Sequence, residues 1–236
     1  MIRKVICALD TGNLEEALTI TGRLKDCVGA FKIGHALTLQ YGLDVIPRLQ
    51  DAGATRVFLD LKFHDIPNSV ALAVREAAKR DVWMMTLHIS GGPAMMEAAV
   101  YEARAHSDAA PNLVGVSVLT SLDEHTLTDV IGVKRNIHDQ MVSLSQLAMD
   151  CGLDGIVCSP QEIKAIRQVI GHQGCIVTPG IRHSTGEKHD QSRVGTAEQA
   201  LADGADYLVV GRALTHCEDI EAALAGLGFE TTTNSH

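Results

Sequence analysis

An alternation constrains this chain more than any other feature. Short apolar or β-branched runs at residues 5–10, 30–34, 56–62, 84–89, 113–119, 155–159, 175–181 and 207–211 are separated by longer stretches of helical period. Amphipathic stretches fall at 14–24, 70–80, 93–105, 140–151, 161–169 and 197–203, and one at 213–224 closes the series. This is the pattern of repeated βα units, and hence of a parallel sheet covered by helices. Eight units in 236 residues fit a single closed (β/α)8 barrel, the TIM-barrel class, better than an open doubly wound sheet, which is the alternative that periodicity leaves. At 46% apolar residues the chain can fill one such core. One barrel domain over 1–228 is predicted, with a polar, frayed tail at 229–236.

Composition removes several classes of function. The six cysteines form no Cys-x-x-Cys pair and mostly sit in apolar runs, which favours reduced thiols in a cytoplasm and argues against structural zinc. The N-terminal apolar run is too short for a signal peptide and ends at Asp10, so it reads as a first strand. Nothing approaches the roughly 18 uninterrupted apolar residues of a membrane helix. A formal charge of −9 argues against a nucleic-acid footprint, which would need a basic face. It does not exclude one bound phosphate, for which a few arginines and backbone N–H groups suffice.

The informative residues are charges where a barrel should be apolar. Phe58-Leu59-Asp60-Leu61-Lys62-Phe63 sets two ions two residues apart in a buried run, so strand alternation turns them to one face. Asp10 ends the first predicted strand and Lys32 interrupts the second. Four charges of alternating sign should therefore line adjacent strand ends. Each pair at about 4 Å is worth roughly 4 kcal/mol at an effective dielectric near 20, before desolvation is subtracted. A lysine kept charged between carboxylates is a poor nucleophile but a well-placed general acid. Ordinary ion pairs at a barrel rim are the competing reading, and four such residues on consecutive strands weigh against it.

The seventh and eighth strands end in Pro179-Gly180-Ile181-Arg182 and Gly211-Arg212, where barrels commonly bind phosphate. Glycine admits close approach of backbone N–H groups, and an arginine fork can bind two phosphate oxygens. Gln191 could close over such a phosphate as a neutral donor. The connections 120–139 and 182–194 are long and polar, and both follow strand C-termini, so they are candidate lids. His88 on the fourth strand reads as a hydrogen-bonded core histidine rather than a second proton carrier.

With these residues assembled, the chain resembles the orotidine 5'-monophosphate decarboxylase family from about residue 5 to 224. The most specific match is Asp60-x-Lys62-x-x-Asp65 followed by Ile66-Pro67-Asn68. Ala8-Leu9-Asp10, Phe31-Lys32-Ile33-Gly34, Val118-Leu119-Thr120-Ser121, Pro179-Gly180-Ile181-Arg182 and Val210-Gly211-Arg212 support it. The resemblance implies a cytoplasmic enzyme without cofactor or metal, which converts orotidine 5'-monophosphate to UMP and CO2 in the last step of pyrimidine synthesis. It implies that Lys62 protonates C6 of the pyrimidine, that Asp60 lies beside the substrate carboxylate, and that Asp10 and Lys32 bind ribose hydroxyls. Thr120 or Ser121 would meet the base, and Gln191, Gly211, Arg212 and Arg182 would hold the phosphate. Ile66 and Pro179 are further expected substrate contacts. It also implies a homodimer in which Asp65 reaches the neighbouring active site. Magnesium-dependent sugar-phosphate enzymes of the same superfamily share the Asp-x-Lys-x-x-Asp element but carry a glutamate where this chain has Lys32, a cation that would repel the metal. A non-catalytic phosphosugar-binding barrel would need no Asp-Lys-Asp constellation.

Overall fold

The computed structural model describes residues 2–105, 110–181 and 195–229. Eight parallel strands, β1 (Val5–Ala8), β2 (Ala30–Ile33), β3 (Val57–Phe63), β4 (Met84–His88), β5 (Asn112–Val116), β6 (Gly155–Val157), β7 (Cys175–Thr178) and β8 (Tyr207–Val210), pair in sequence order. β8 returns to β1 and closes the barrel. Among the described residues ten α-helices surround it: α1 (Leu14–Leu24), α2 (His35–Tyr41), α3 (Val45–Asp51), α4 (Pro67–Ala78), α5 (Pro93–Ala105), α6 (Ile137–Asp150), α7 (Ile163–Ile170), α8 (Ala197–Ala202), α9 (Arg212–Thr215) and α10 (Ile220–Gly226).

Closure follows from pattern and packing together. Outward strand residues such as Cys7, Phe31, Leu59, Met85 and Leu208 are buried against the helices in one large core. Inward residues Ile6, Ala30, Phe58, Met84, Val114 and Val177 form a second cluster that fills the lower barrel. Both faces of each strand are thus covered, as parallel sheets require. At its base Trp83 meets Tyr207 edge-on at 5.1 Å, and the Arg56 guanidinium lies 5.1 Å from the Trp83 ring centre.

Local signals explain where several elements differ from the sequence reading. α4 starts at Pro67, three residues before the apolar period at Val70, because proline suits the first helical turn. α6 starts at Ile137 rather than 140, since Asn136 caps it by accepting the Asp139 N–H at 2.7 Å. Inside the long connection after β5, residues Thr126–Val130 form a π-helical turn. The frayed tail was expected from 229, but Phe229 is 1% exposed and packs into the main core. Packing therefore runs one residue past that boundary, carried by an aromatic side chain too large to leave in water.

Candidate active site

The C-terminal mouth of the barrel opens into a cavity of about 780 Å³, a size suited to a small-molecule ligand. Its floor is the upper layer of inward strand residues. β1 is paired so that Ala8 stands beside Lys32, and Lys32 stands beside Phe58. One inward step beyond Phe58 comes Asp60.

The four charges read from the sequence form one chain across three strand ends. Lys32 Nζ lies 3.0 Å from Asp10 Oδ1 and 3.5 Å from Asp60 Oδ2, while Lys62 Nζ donates to Asp60 Oδ1 at 2.8 Å. Asp60 and Lys32 are the inner members, with side chains 12% and 11% exposed, and Asp10 sits at the rim. Burial pulls the Lys32 ammonium toward neutrality, but the carboxylates of Asp60 and Asp10 outweigh it and hold its pKa above the ordinary lysine value. Burial likewise pushes the Asp60 carboxyl up. The Lys32 and Lys62 ammoniums, with hydrogen bonds from Lys62 and Thr86, bring it below the ordinary carboxylate range.

Asp60 and Lys62 do not meet through regular strand alternation. Leu59 pairs with Met85 and Phe63 with Leu87, so four steps along β3 span two along β4. This bulge puts Lys62 at φ +50°, a left-handed conformation that costs a non-glycine residue about 1–2 kcal/mol. The Lys62 N–H, displaced from the ladder, donates to Thr86 Oγ1 at 2.8 Å, and that hydroxyl donates to Asp60 Oδ1 at 2.9 Å. Thr86 is therefore part of the array although it was absent from the sequence reading. The available signal was its place two residues after Met84, on the inward face of β4.

Thr120, Pro179, Gly211 and Arg212 line the cavity too. Gly180, also at the wall, has φ +81°, which glycine alone adopts without strain. A side chain at Gly211 would begin 3.7 Å from Asp10 Oδ2, so the β8 end abuts the charged chain at the closure of the barrel. Ser121 is exposed and is not among the lining residues, which separates it from Thr120. Arg182 and Gln191, like the whole 182–194 connection, lie outside the described residues.

Asp65 and Ile66 do not join the cavity of their own chain. Both are exposed, with Ile66 67% accessible, and Asp65 Oδ1 accepts the Ile66 N–H at 2.6 Å. His88 is half-buried, and its ring lies 5.2 Å from that of exposed His64. Burial, then the neighbouring His64 and Lys62, lower its pKa, partly opposed by Asp60. Among the described residues no group of three or more His, Cys, Asp or Glu side chains could hold a metal ion, and no helix is long and apolar enough to cross a membrane.

Fold and site together define a barrel enzyme whose pocket sets a Lys/Asp array on β1 to β3 beside a Gly-Arg wall on β7 and β8. The chain belongs to the orotidine 5'-phosphate decarboxylase / HUMPS family, whose sequence profile matches residues 3–227. It is 43% identical over 231 residues to an orotidine 5'-phosphate decarboxylase of Syntrophomonas wolfei subsp. wolfei, covering 95% of this chain and 96% of that one. A second, from Moorella thermoacetica, is 41% identical over 96% of this chain and 91% of its own length. The crystal structure of orotidine 5'-phosphate decarboxylase from Lactobacillus acidophilus superimposes with a TM-score of 0.82 at 34% identity, over 96% of this chain and 97% of that one.

Proposed function

We propose that this chain decarboxylates orotidine 5'-monophosphate to UMP and CO2, with Lys62 as the proton donor. The observation that carries the reading is the Asp10–Lys32–Asp60–Lys62 chain opening into the pocket of a member of this family. The substrate phosphate binds at Gly211 and Arg212, aided by Arg182 and Gln191. Its ribose hydroxyls meet Asp10 and Lys32, and the base lies between Thr120 and Lys62, with Pro179 on the pocket wall.

In this pose Asp60 sits beside the departing carboxylate. The C6–CO2 bond breaks, its electron pair stays on C6, and the Lys62 ammonium gives that carbon a proton, so that UMP forms with no net redox change. Preorganised charge stabilises the developing carbanion more in a water-poor pocket than it would in bulk water. Binding energy from the distant phosphate helps to hold the reacting ring in place. No electron-sink cofactor or metal enters this route, and Lys32 occupies the array with a cation of its own.

The active form is a homodimer. Asp65 is exposed beside exposed Ile66, and neither lines the pocket of its own chain, which suits an Asp65 that enters the partner's site. The enzyme works in the cytoplasm, where its six free thiols stay reduced.

Metal-stripped protein mixed with orotidine 5'-monophosphate tests the reading through the pyrimidine absorbance. Rapid loss of substrate is expected. A folded but inert protein that gains activity on a sugar-phosphate keto acid when magnesium is added would overturn it. Shared sites have their own test: mixing inactive Lys62→Ala and Asp65→Ala chains should regenerate one working site per heterodimer. A heterodimer shown to form and still inactive would contradict the sharing.

A further inference from the structure

We propose that Thr86 is a positioning residue for the reaction, one hydroxyl that sets both the backbone of Lys62 and the carboxylate of Asp60. The role deepens the decarboxylase reading and rests on it. Chemistry fixes the direction of both hydrogen bonds. A backbone N–H can only donate, so the hydroxyl accepts from Lys62, and its single proton is left for Asp60 Oδ1. The same Oδ1 accepts from Lys62 Nζ at 2.8 Å. Lys62 and Thr86 are thus tied to each other directly and again through one carboxylate oxygen, while Oδ2 is left toward Lys32.

The β3 bulge makes this tie necessary. Where β3 carries two extra residues against β4, the backbone ladder offers the Lys62 N–H no regular partner, and a side chain from β4 takes its place. Thr86 is 1% exposed, so water does not compete for either bond. The pairing of Phe63 with Leu87 closes the bulge beyond it. The result is a lysine whose unusual φ is fixed from two sides, which limits the directions its ammonium can take.

Thr86→Val keeps the shape and removes both hydrogen bonds, whereas Thr86→Ser keeps the hydroxyl. The valine variant should lose about 10- to 100-fold in kcat, the range for hydrogen bonds to charged groups, with KM within about threefold. Serine should restore kcat to within about threefold. A second measurement needs no turnover: carbon-13 titration of the Asp60 carboxyl, which faces Lys32 from β2, Lys62 from its own strand and, at longer range, His88 from β4. In the valine variant its titration should move to higher pH, and in the serine variant it should stay. If valine prevents folding, Thr86→Ala takes its place in both experiments. A valine variant with kcat within twofold of the parent, or a serine variant as impaired as valine, would overturn the proposal. A parent chain that is inert toward orotidine 5'-monophosphate, yet whose Asp60 titration responds as described, would overturn the decarboxylase reading and leave the positioning of Asp60 standing.

Discussion

The two halves of the barrel interior are built from the same strands and differ by one inward step. On β3 that step runs from Phe58 to Asp60, on β2 from Ala30 to Lys32, and on β4 from Met84 to Thr86. Below it the side chains are apolar and fully enclosed. Above it stand the ions Lys32 and Asp60 and the hydroxyl of Thr86, and the ions survive burial because each charge faces an opposite one. The lower half fixes the spacing of the strands, and the upper half uses that spacing to hold charges at 2.8 to 3.5 Å. The lower half stabilises the barrel and, through Phe58 and Val177, forms part of the pocket floor. The other is held together largely by its own electrostatics and is exposed to a ligand.

Substituting one residue on each side of that step should break the comparison open. Asp60→Ala leaves the two ammoniums of Lys32 and Lys62 without their shared counter-ion, and losing one partner of a buried pair costs about 3–5 kcal/mol. Urea denaturation should show that fall, and the fraction that stays folded should be inactive. Met84→Ala opens a cavity in the lower cluster and should cost a comparable 2–5 kcal/mol, yet its folded molecules should keep the parent kcat. A drop in kcat for Met84→Ala at full folding would show that the halves are not separable.

A smaller effect is expected across the mouth, at the wall formed by β7 and β8. Arg212→Ala should lower kcat/KM by about 10²-fold, the equivalent of losing roughly 3 kcal/mol of charge-assisted hydrogen bonding to phosphate, without a change in melting temperature. An unchanged kcat/KM would remove Arg212 from the phosphate site.

Sequence made the charged half visible because ions inside apolar runs stand out. Asp10, Lys32, Asp60 and Lys62 needed only strand alternation and the order of the strands to be placed together. Thr86 did not stand out, since threonine is ordinary in strands and its role depends on a bulge that no period encodes. Alternation even gave the right neighbours for a different reason, because the bulge and not a regular pleat brings Lys62 to Asp60. The eight strands were legible from repetition, which favoured a closed barrel over an open sheet, whereas closure itself rests on the pairing of β8 with β1. The short helices α2 and α3 were not, because each has seven residues and Gly42, at φ +66°, breaks the run between them. Strand ends were read two or three residues too long at β1, β5, β6 and β7, where the sequence gives no sharp signal for the end of the ladder.

The central claim is that Lys62 delivers the proton from a fixed array, and Lys62→Ala tests it most directly. With orotidine 5'-monophosphate as substrate and UMP affinity measured in parallel, kcat should fall by roughly 10⁴-fold, the upper range for a positioned proton donor, while UMP still binds. A variant that retains kcat within tenfold of the parent would contradict the account.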